Sequence, residues 1–348
     1  MNITRPNIHI LGAGSVGTFI THCLESTSSP PHITLIIRPP NTHGPSPLIP
    51  SSYTINLTHG TSSNTISSPS HTIPTLAPPL PKSRPPLTNL IVTTKAHQTL
   101  PALRPLLPFL STSTSILFLQ NGMGVVDEVR HEITSHLGST NLPNMLSGVV
   151  VHGIRQVPSS RKELVHLDVT DSLGYVEIGY DDVPGSKRPQ VLQALLGAPL
   201  LGAKTIPGKS FREKQLLKLV SNAVINPLTA LYGVRNGELL KECYEVEVDV
   251  IVGEISMVFQ KLAVADGDAE GEKYTAAALK KEVMRVATVT GGNMSSMLAD
   301  VQATRKTEIE YINGWIVKKG KELGIDCPKN AEIMERVKNL EGIKKLSH

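Results

Sequence analysis

Lys218, Asn222 and Asn226 stand four residues apart in the run KLVSNAVIN. On a helix each four-residue step drifts only about 40° around the axis, so the ammonium and the two carboxamides share one face. Leu219, Val220, Val224 and Ile225 are left to bury the opposite side. One proton donor beside two amides suits a small, oxygen-rich anion. Pro227 follows directly, biases the residue before it away from helical geometry, and so predicts that the helix closes at Asn226. A solvated polar stripe would show the same spacing, so the choice rests on what accompanies this segment.

The run GAGSVG comprises Gly12, Ala13, Gly14, Ser15, Val16 and Gly17. It follows an apolar strand, Asn7 to Leu11, and opens an amphipathic stretch, Thr18 to Leu24. That context is the one a dinucleotide fingerprint requires. Gly12 permits the tight turn, Gly14 lets the backbone approach a pyrophosphate, and Gly17 allows close helix packing. The helix N-terminus then faces the phosphates. Arg38 ends the second apolar strand, where NAD-dependent proteins place an acidic residue; an arginine there favours the 2′-phosphate of NADP. No Asp or Glu occurs between Glu25 and Asp127, which removes the NAD-type alternative. Thr94 to Gln98 (TKAHQ) and Gln120 to Gly124 (QNGMG) each follow a predicted strand, at the end that faces the ligand crevice of an open parallel sheet. Lys95 can add positive charge near the cofactor, and Asn121 can donate to its ribose or amide.

Asn293 to Asp300 reads NMSSMLAD, and Thr307 to Gly314 reads TEIEYING. Ser295 or Ser296 can cap a helix, and Thr307 with Glu310 matches a capping box, which places Glu308 in a first helical turn. On one unbroken helix Ser296 and Glu308 would lie about 18 Å apart along the axis and about 120° around it. If both serve one site, one helix ends between Val301 and Lys306 and another begins at Thr307.

The elements that must position these groups divide in two. Ile33 to Ile37, Asn89 to Thr93, Ile116 to Leu119 and Val149 to Val151 read as further strands, so the N-terminal part alternates strand and helix with crossovers suited to a parallel sheet. Pro39 to Thr88 is dense in Pro, Ser and Thr; it reads as an insertion at 39–88 holding a few short strands, such as Tyr53 to Leu57, between mobile loops. From Arg212 onward nearly everything reads as helix: 212–226, 236–265, 272–288, 308–323 and a last helix after Pro328. The expected fold is α/β: a Rossmann-type dinucleotide-binding domain over 1–206, then an all-helical substrate and catalytic domain over 207–348.

The bulk composition narrows the class. A net charge of +4 without a long basic run, and only 4% aromatic residues, argue against nucleic acid as a partner. No apolar run reaches the length of a membrane span. The first strand starts too early to leave room for a leader peptide. Three scattered cysteines, Cys23, Cys243 and Cys327, form no CxxC and point to a reducing, cytoplasmic compartment. No clustered Cys/His spacing predicts a metal. All histidines but His348 lie at or before His166, so the second domain has no internal histidine to act as a general acid.

Taken in order, GAGSVG, Arg38, TKAHQ, QNGMG, KLVSNAVINPLTAL, RNGEL, SSMLAD and TEIEYING resemble the ketopantoate reductase (2-dehydropantoate 2-reductase) family. The resemblance covers nearly everything except Pro39 to Thr88, and the chain departs from it again at Arg305-Lys306. It implies NADPH-dependent reduction of 2-dehydropantoate to (R)-pantoate, a step toward pantothenate and coenzyme A. It also implies roles. Lys218 would be the general acid. Asn222, Asn226 and Asn236 would bind substrate, and Ser296 would hold its carboxylate. Asn121 would touch both cofactor and substrate, and Lys95 and Glu308 would lie by the nicotinamide ribose and the lysine. A small 2-oxo acid is then the partner, and a homodimer is left open. Two alternatives stand: a same-fold reductase of another branched 2-oxo acid, and an NADPH-binding sensor without catalysis.

Overall fold

The computed structural model describes residues 5–37, 52–59, 62–67, 75–81, 83–157, 164–169, 174–265 and 271–343. The chain forms two compact units, one of residues 1–120 and 125–211, the other of residues 121–124 and 212–348.

The first unit contains strands β1 (Asn7–Leu11), β2 (His32–Ile36), β3 (Ser52–His59), β4 (Ser62–Ser67), β5 (Thr75–Leu76), β6 (Asn89–Val92), β7 (Ser115–Phe118), β8 (Asn144–Val150), β9 (Ile154–Val157), β10 (Leu164–Val169), β11 (Val176–Gly179) and β12 (Ala203–Ile206). Helices α1 (Ser15–Glu25), α2 (Ala96–Leu103), α3 (Val125–Leu137) and α4 (Gln190–Leu196) connect them. Eight strands form one sheet in the order β12-β11-β8-β7-β6-β1-β2-β5. Every neighbouring pair is parallel except β8 with β11. β1 pairs with β2 through Ile8↔Ile33 and Ile10↔Leu35, and with β6 through Ile10↔Ile91. All four residues of β6 are buried, as in a strand covered on both faces. Strand order reverses at β1, so the crevice beyond its carboxyl end is where an open α/β sheet takes a ligand.

The remaining four strands form a second sheet, β4-β3-β10-β9. β3 contains the expected strand Tyr53 to Leu57 and makes an antiparallel hairpin with β4. Its other edge pairs in parallel with β10, about a hundred residues later in the chain. The Pro/Ser/Thr-rich segment therefore supplies half of a sheet, where the sequence suggested only short strands between loops.

The second unit is helical throughout its described residues beyond 211, as expected: α5 (Gly208–Tyr232), whose first turn precedes that boundary, then α6 (Glu245–Ala265), α7 (Ala276–Val289), α8 (Ser296–Gln302), α9 (Asn313–Glu322) and α10 (Pro328–Ile343). Its core joins Val220, Val224 and Leu228 of α5 to Ile255 and Phe259 of α6, Val283 of α7 and Ile316 of α9. Two expected spans are corrected. α5 does not close at Asn226 but continues through Pro227 to Tyr232. The span 236–265 is not one helix: 3-10 turns cover Asn236–Leu240 and Glu242–Tyr244 before α6 begins. Asn236 N–H donates to Asn293 O at 3.1 Å and Gly237 N–H to Gly291 O at 3.1 Å, which commits that backbone to the 290–293 turn instead of to a helix. Among the described residues no helix is long and apolar enough to cross a membrane, and no cluster of side chains could hold a metal ion.

Candidate functional site

The glycine turn sits at the carboxyl end of β1. Gly12 has φ +109°, a conformation open to glycine at no steric cost, and its N–H donates to Ile36 O at 3.1 Å. Gly17 packs so tightly that a Cβ there would lie 2.0 Å from Gly12 O and 2.7 Å from Thr93 Oγ1. Gly14 is exposed, and a Cβ on it would meet nothing within 4 Å. It precedes α1 without any side-chain cap. The first N–H groups of α1, from half-buried Ser15 and Val16 and buried Gly17, are thus left to an external acceptor. Ala13 is half-buried in the turn. An open cradle of this kind fits a dinucleotide pyrophosphate. Lys95, half-buried, is the residue before α2 and follows β6, the parallel neighbour of β1, so it lies at the same end of the sheet. Arg38 lies outside the described residues.

In the helical unit α5 carries Lys218 and Asn222, both half-buried, and Asn226, which is buried. Among the described residues neither Asn222 nor Asn226 spends its carboxamide on a hydrogen bond, so both remain available to a ligand. Pro227 lacks the N–H that Ala223 O would accept, and a buried unpaired carbonyl costs ~1–3 kcal/mol. Asn313 Nδ2 supplies the missing donor at 2.9 Å, which is why the helix survives its proline. Burial lowers the Lys218 amine from its usual 10.5 to about 8, and the Glu308 carboxylate opposes that shift.

α8 ends at Gln302, inside the interval expected for a break, and Ala303 terminates it. Thr304 turns the chain with φ 55°, and Arg305 returns to Asp300 through N–H to O at 2.8 Å and Nε to Oδ1 at 3.1 Å. The expected helix start at Thr307 is corrected. A 3-10 turn covers Ile309–Tyr311, with Glu308 as the residue before it, and α9 begins only at Asn313. The capping box does not close. Thr307 N–H is taken by Glu341 Oε1 at 2.8 Å, and Glu310 points outward to Lys306 at 2.7 Å. Glu308 is nonetheless buried and within electrostatic reach of Lys218.

Ser295, not Ser296, caps α8. Its Oγ accepts from Leu298 N–H at 3.1 Å and from Thr229 Oγ1 at 2.7 Å. Ser296 is left exposed at the first helical position with its hydroxyl uncommitted to the cap. Thr229 follows Asn226 by three residues, so the same bond ties the polar end of α5 to the start of α8. Asn236 is buried; its Nδ2 donates to Thr290 Oγ1 at 2.9 Å, and its Oδ1 has no partner among the described residues. Residues 121–124 belong to this unit as well. Met123 N–H donates to Tyr311 O at 2.8 Å, and Gly122 has no room for a Cβ, which would lie 2.5 Å from that oxygen. Asn121 is thereby held beside a segment whose Tyr311 N–H bonds Glu308 O at 3.0 Å. Sequence reasoning offered Ser295 as one of two caps but missed Thr229 and Asn313. The signal for Asn313 was available, because a proline inside a helix leaves one carbonyl four residues back in need of a donor.

An open glycine turn at the switch point of a mostly parallel sheet, together with a lysine–carboxylate pair in a helical unit, defines a two-unit dinucleotide-dependent oxidoreductase. Residues 8–180 match the family model described as ketopantoate reductase PanE/ApbA, and residues 210–341 match its C-terminal counterpart. The chain belongs to the ketopantoate reductase family. It is 32% identical to the 2-dehydropantoate 2-reductase of Vibrio cholerae over 72% of this chain and 77% of that one. It is 29% identical to the 2-dehydropantoate 2-reductase of Saccharomyces cerevisiae over 95% and 93% of the two chains. Among solved structures, a D-mandelate dehydrogenase with NADH and anilino(oxo)acetate shares the fold, with a TM-score of 0.70 at 20% identity over 97% of this chain and 98% of that one.

Proposed function

We propose that this protein reduces the ketone of 2-dehydropantoate to (R)-pantoate with NADPH, and that Lys218 is the general acid. The observation that carries this reading is the Lys218 amine, lowered by burial to about 8 beside the Glu308 carboxylate. A proton donor works best when its pKa lies near the operating pH. Gly12 to Gly17 hold the pyrophosphate, with Arg38 at the 2′-phosphate and Lys95 near the nicotinamide ribose. The bound NADPH supplies the hydride. Charge develops on the substrate oxygen, and the Lys218 ammonium stabilises it and delivers the proton. Glu308 keeps that amine charged and in place. Asn222, Asn226 and Asn236 grip the substrate hydroxyl and ketone, Ser296 the carboxylate, and Asn121 spans substrate and cofactor. The enzyme acts in the cytoplasm, and sedimentation velocity distinguishes a homodimer from a monomer.

The test is NADPH oxidation with 2-dehydropantoate and a panel of branched and aromatic 2-oxo acids, repeated with NADH. The reading predicts that 2-dehydropantoate with NADPH has the highest kcat/KM. Arg38→Asp should weaken NADPH binding far more than NADH binding. A different preferred acid would reassign the substrate, and no turnover with any acid would leave only a dinucleotide-binding protein.

A further inference from the structure

Asn313 occupies an unusual position in the helical unit. It is fully buried, and its Nδ2 makes two hydrogen bonds, to Ala223 O at 2.9 Å and to Asn330 Oδ1 at 3.0 Å. Asn330 is itself anchored by buried Glu254, whose Oε2 accepts from Asn330 N–H at 2.9 Å and from Nδ2 at 2.8 Å, and whose Oε1 accepts from Lys329 N–H at 2.7 Å. Asn313 therefore fastens α5, between Asn222 and Asn226, to the first residue of α9 and to the start of α10. The asparagine's own Oδ1 is buried and accepts no hydrogen bond among the described residues.

Lys218 precedes Ala223 by five residues, and Glu308 precedes Asn313 by five. The bond from Asn313 to Ala223 thus ties the two segments together at a point five residues beyond each of these side chains. Resting on the reading of Lys218 as proton donor, we infer that Asn313 is a positioning residue: its carboxamide sets the spacing between the helix that bears Lys218, Asn222 and Asn226 and the segment that bears Glu308. Glu308 is the charged group that acts on the Lys218 amine, and its attraction depends on that spacing. A misplacement of about 1 Å can cost ~10²-fold in rate.

The proline allows this role to be separated from simple satisfaction of a carbonyl. Pro227→Ala restores an N–H that can bond Ala223 O within α5. The double variant Asn313→Ala/Pro227→Ala then has a satisfied carbonyl but no tether. Its urea midpoint is compared with that of Pro227→Ala alone, as is the alkaline limb of kcat against pH. The expected result is stability partly recovered relative to Asn313→Ala alone, because Asn330 Oδ1 still lacks its donor, with kcat still ~10–10²-fold below that of Pro227→Ala and the limb moved to lower pH, since a more distant Glu308 raises the lysine less. Recovery of kcat together with a limb at its original pH overturns the proposal. If the double variant does not fold, Asn313→Ser, too short to reach Ala223, is read in the same way: a shifted limb supports the proposal and an unshifted one overturns it. A wild-type limb that Lys218→Ala abolishes is the signature of the underlying reading. Its absence sinks that reading and this proposal together, whereas an unshifted limb in the variants sinks this proposal alone.

Discussion

Lys218→Met should make the protein more stable at neutral pH while removing its activity. Burial lowers the amine from 10.5 to about 8, a value that already includes the opposing pull of Glu308. At ~1.4 kcal/mol per tenfold, the charged lysine costs the fold roughly 3 kcal/mol, and rather less after allowance for the partial exposure of its side chain. The sign follows from proton binding. Below pH 8 both folded and unfolded chains carry the proton, and the whole penalty is present. Between about 8 and 10.5 the unfolded chain binds more protons than the folded one, so stability rises with pH; above 10.5 the penalty is gone. Methionine matches the length of the lysine stem and carries no charge. Urea unfolding at pH 7 should therefore show a gain of about 2–3 kcal/mol for the variant, shrinking toward zero as the pH approaches 10.5. A variant no more stable than wild type at pH 7, or a gain independent of pH, would refute the claim that the fold holds this lysine at a cost for the sake of its chemistry.

Glu308→Gln removes the group that raises the Lys218 pKa, so the alkaline limb of the pH–rate profile should move below 8; an unmoved limb would show that Glu308 does not act on the amine. Gly17→Ala would force a Cβ to within 2.0 Å of Gly12 O, and fluorescence titration should show loss of NADPH binding, with unchanged affinity contradicting the turn geometry. The neighbouring serines should separate cleanly. Ser295→Ala should lower stability by ~1 kcal/mol through the lost cap, whereas Ser296→Ala should raise KM at unchanged thermal stability; the reverse pattern would exchange their roles.

Much of the dinucleotide turn was legible because its determinants are local. Gly12 answers a positive φ and Gly17 a clash with Gly12 O five residues back, and the four-residue spacing of Lys218, Asn222 and Asn226 needs only helical geometry. Misreadings occurred where a distant partner decides. Pro227 argued for a helix end, and the donor that lets α5 continue comes from Asn313, ninety residues beyond the Ala223 carbonyl it satisfies. Thr307 and Glu310 matched a capping box, but Glu341 of α10 takes the Thr307 N–H first. β4 (SSNTIS) carries little hydrophobic alternation, and the pairing of β3 with β10 depends on a strand about a hundred residues away. The start of the 236–265 span yields to a backbone bond from Asn236 N–H to Asn293 O. Ser295 and Ser296 are equal in sequence; only the Thr229 hydroxyl, bonded to Ser295 at 2.7 Å, tells them apart.

The central claim is that Lys218 protonates the substrate oxygen, and single-turnover NADPH oxidation by Lys218→Ala with 2-dehydropantoate tests it most directly. General acid catalysis contributes ~10²–10⁴-fold, so the variant should bind NADPH as wild type does yet react at least ~10²-fold more slowly, with the limb near pH 8 gone. Reaction at a near-normal rate with that limb intact would contradict the account.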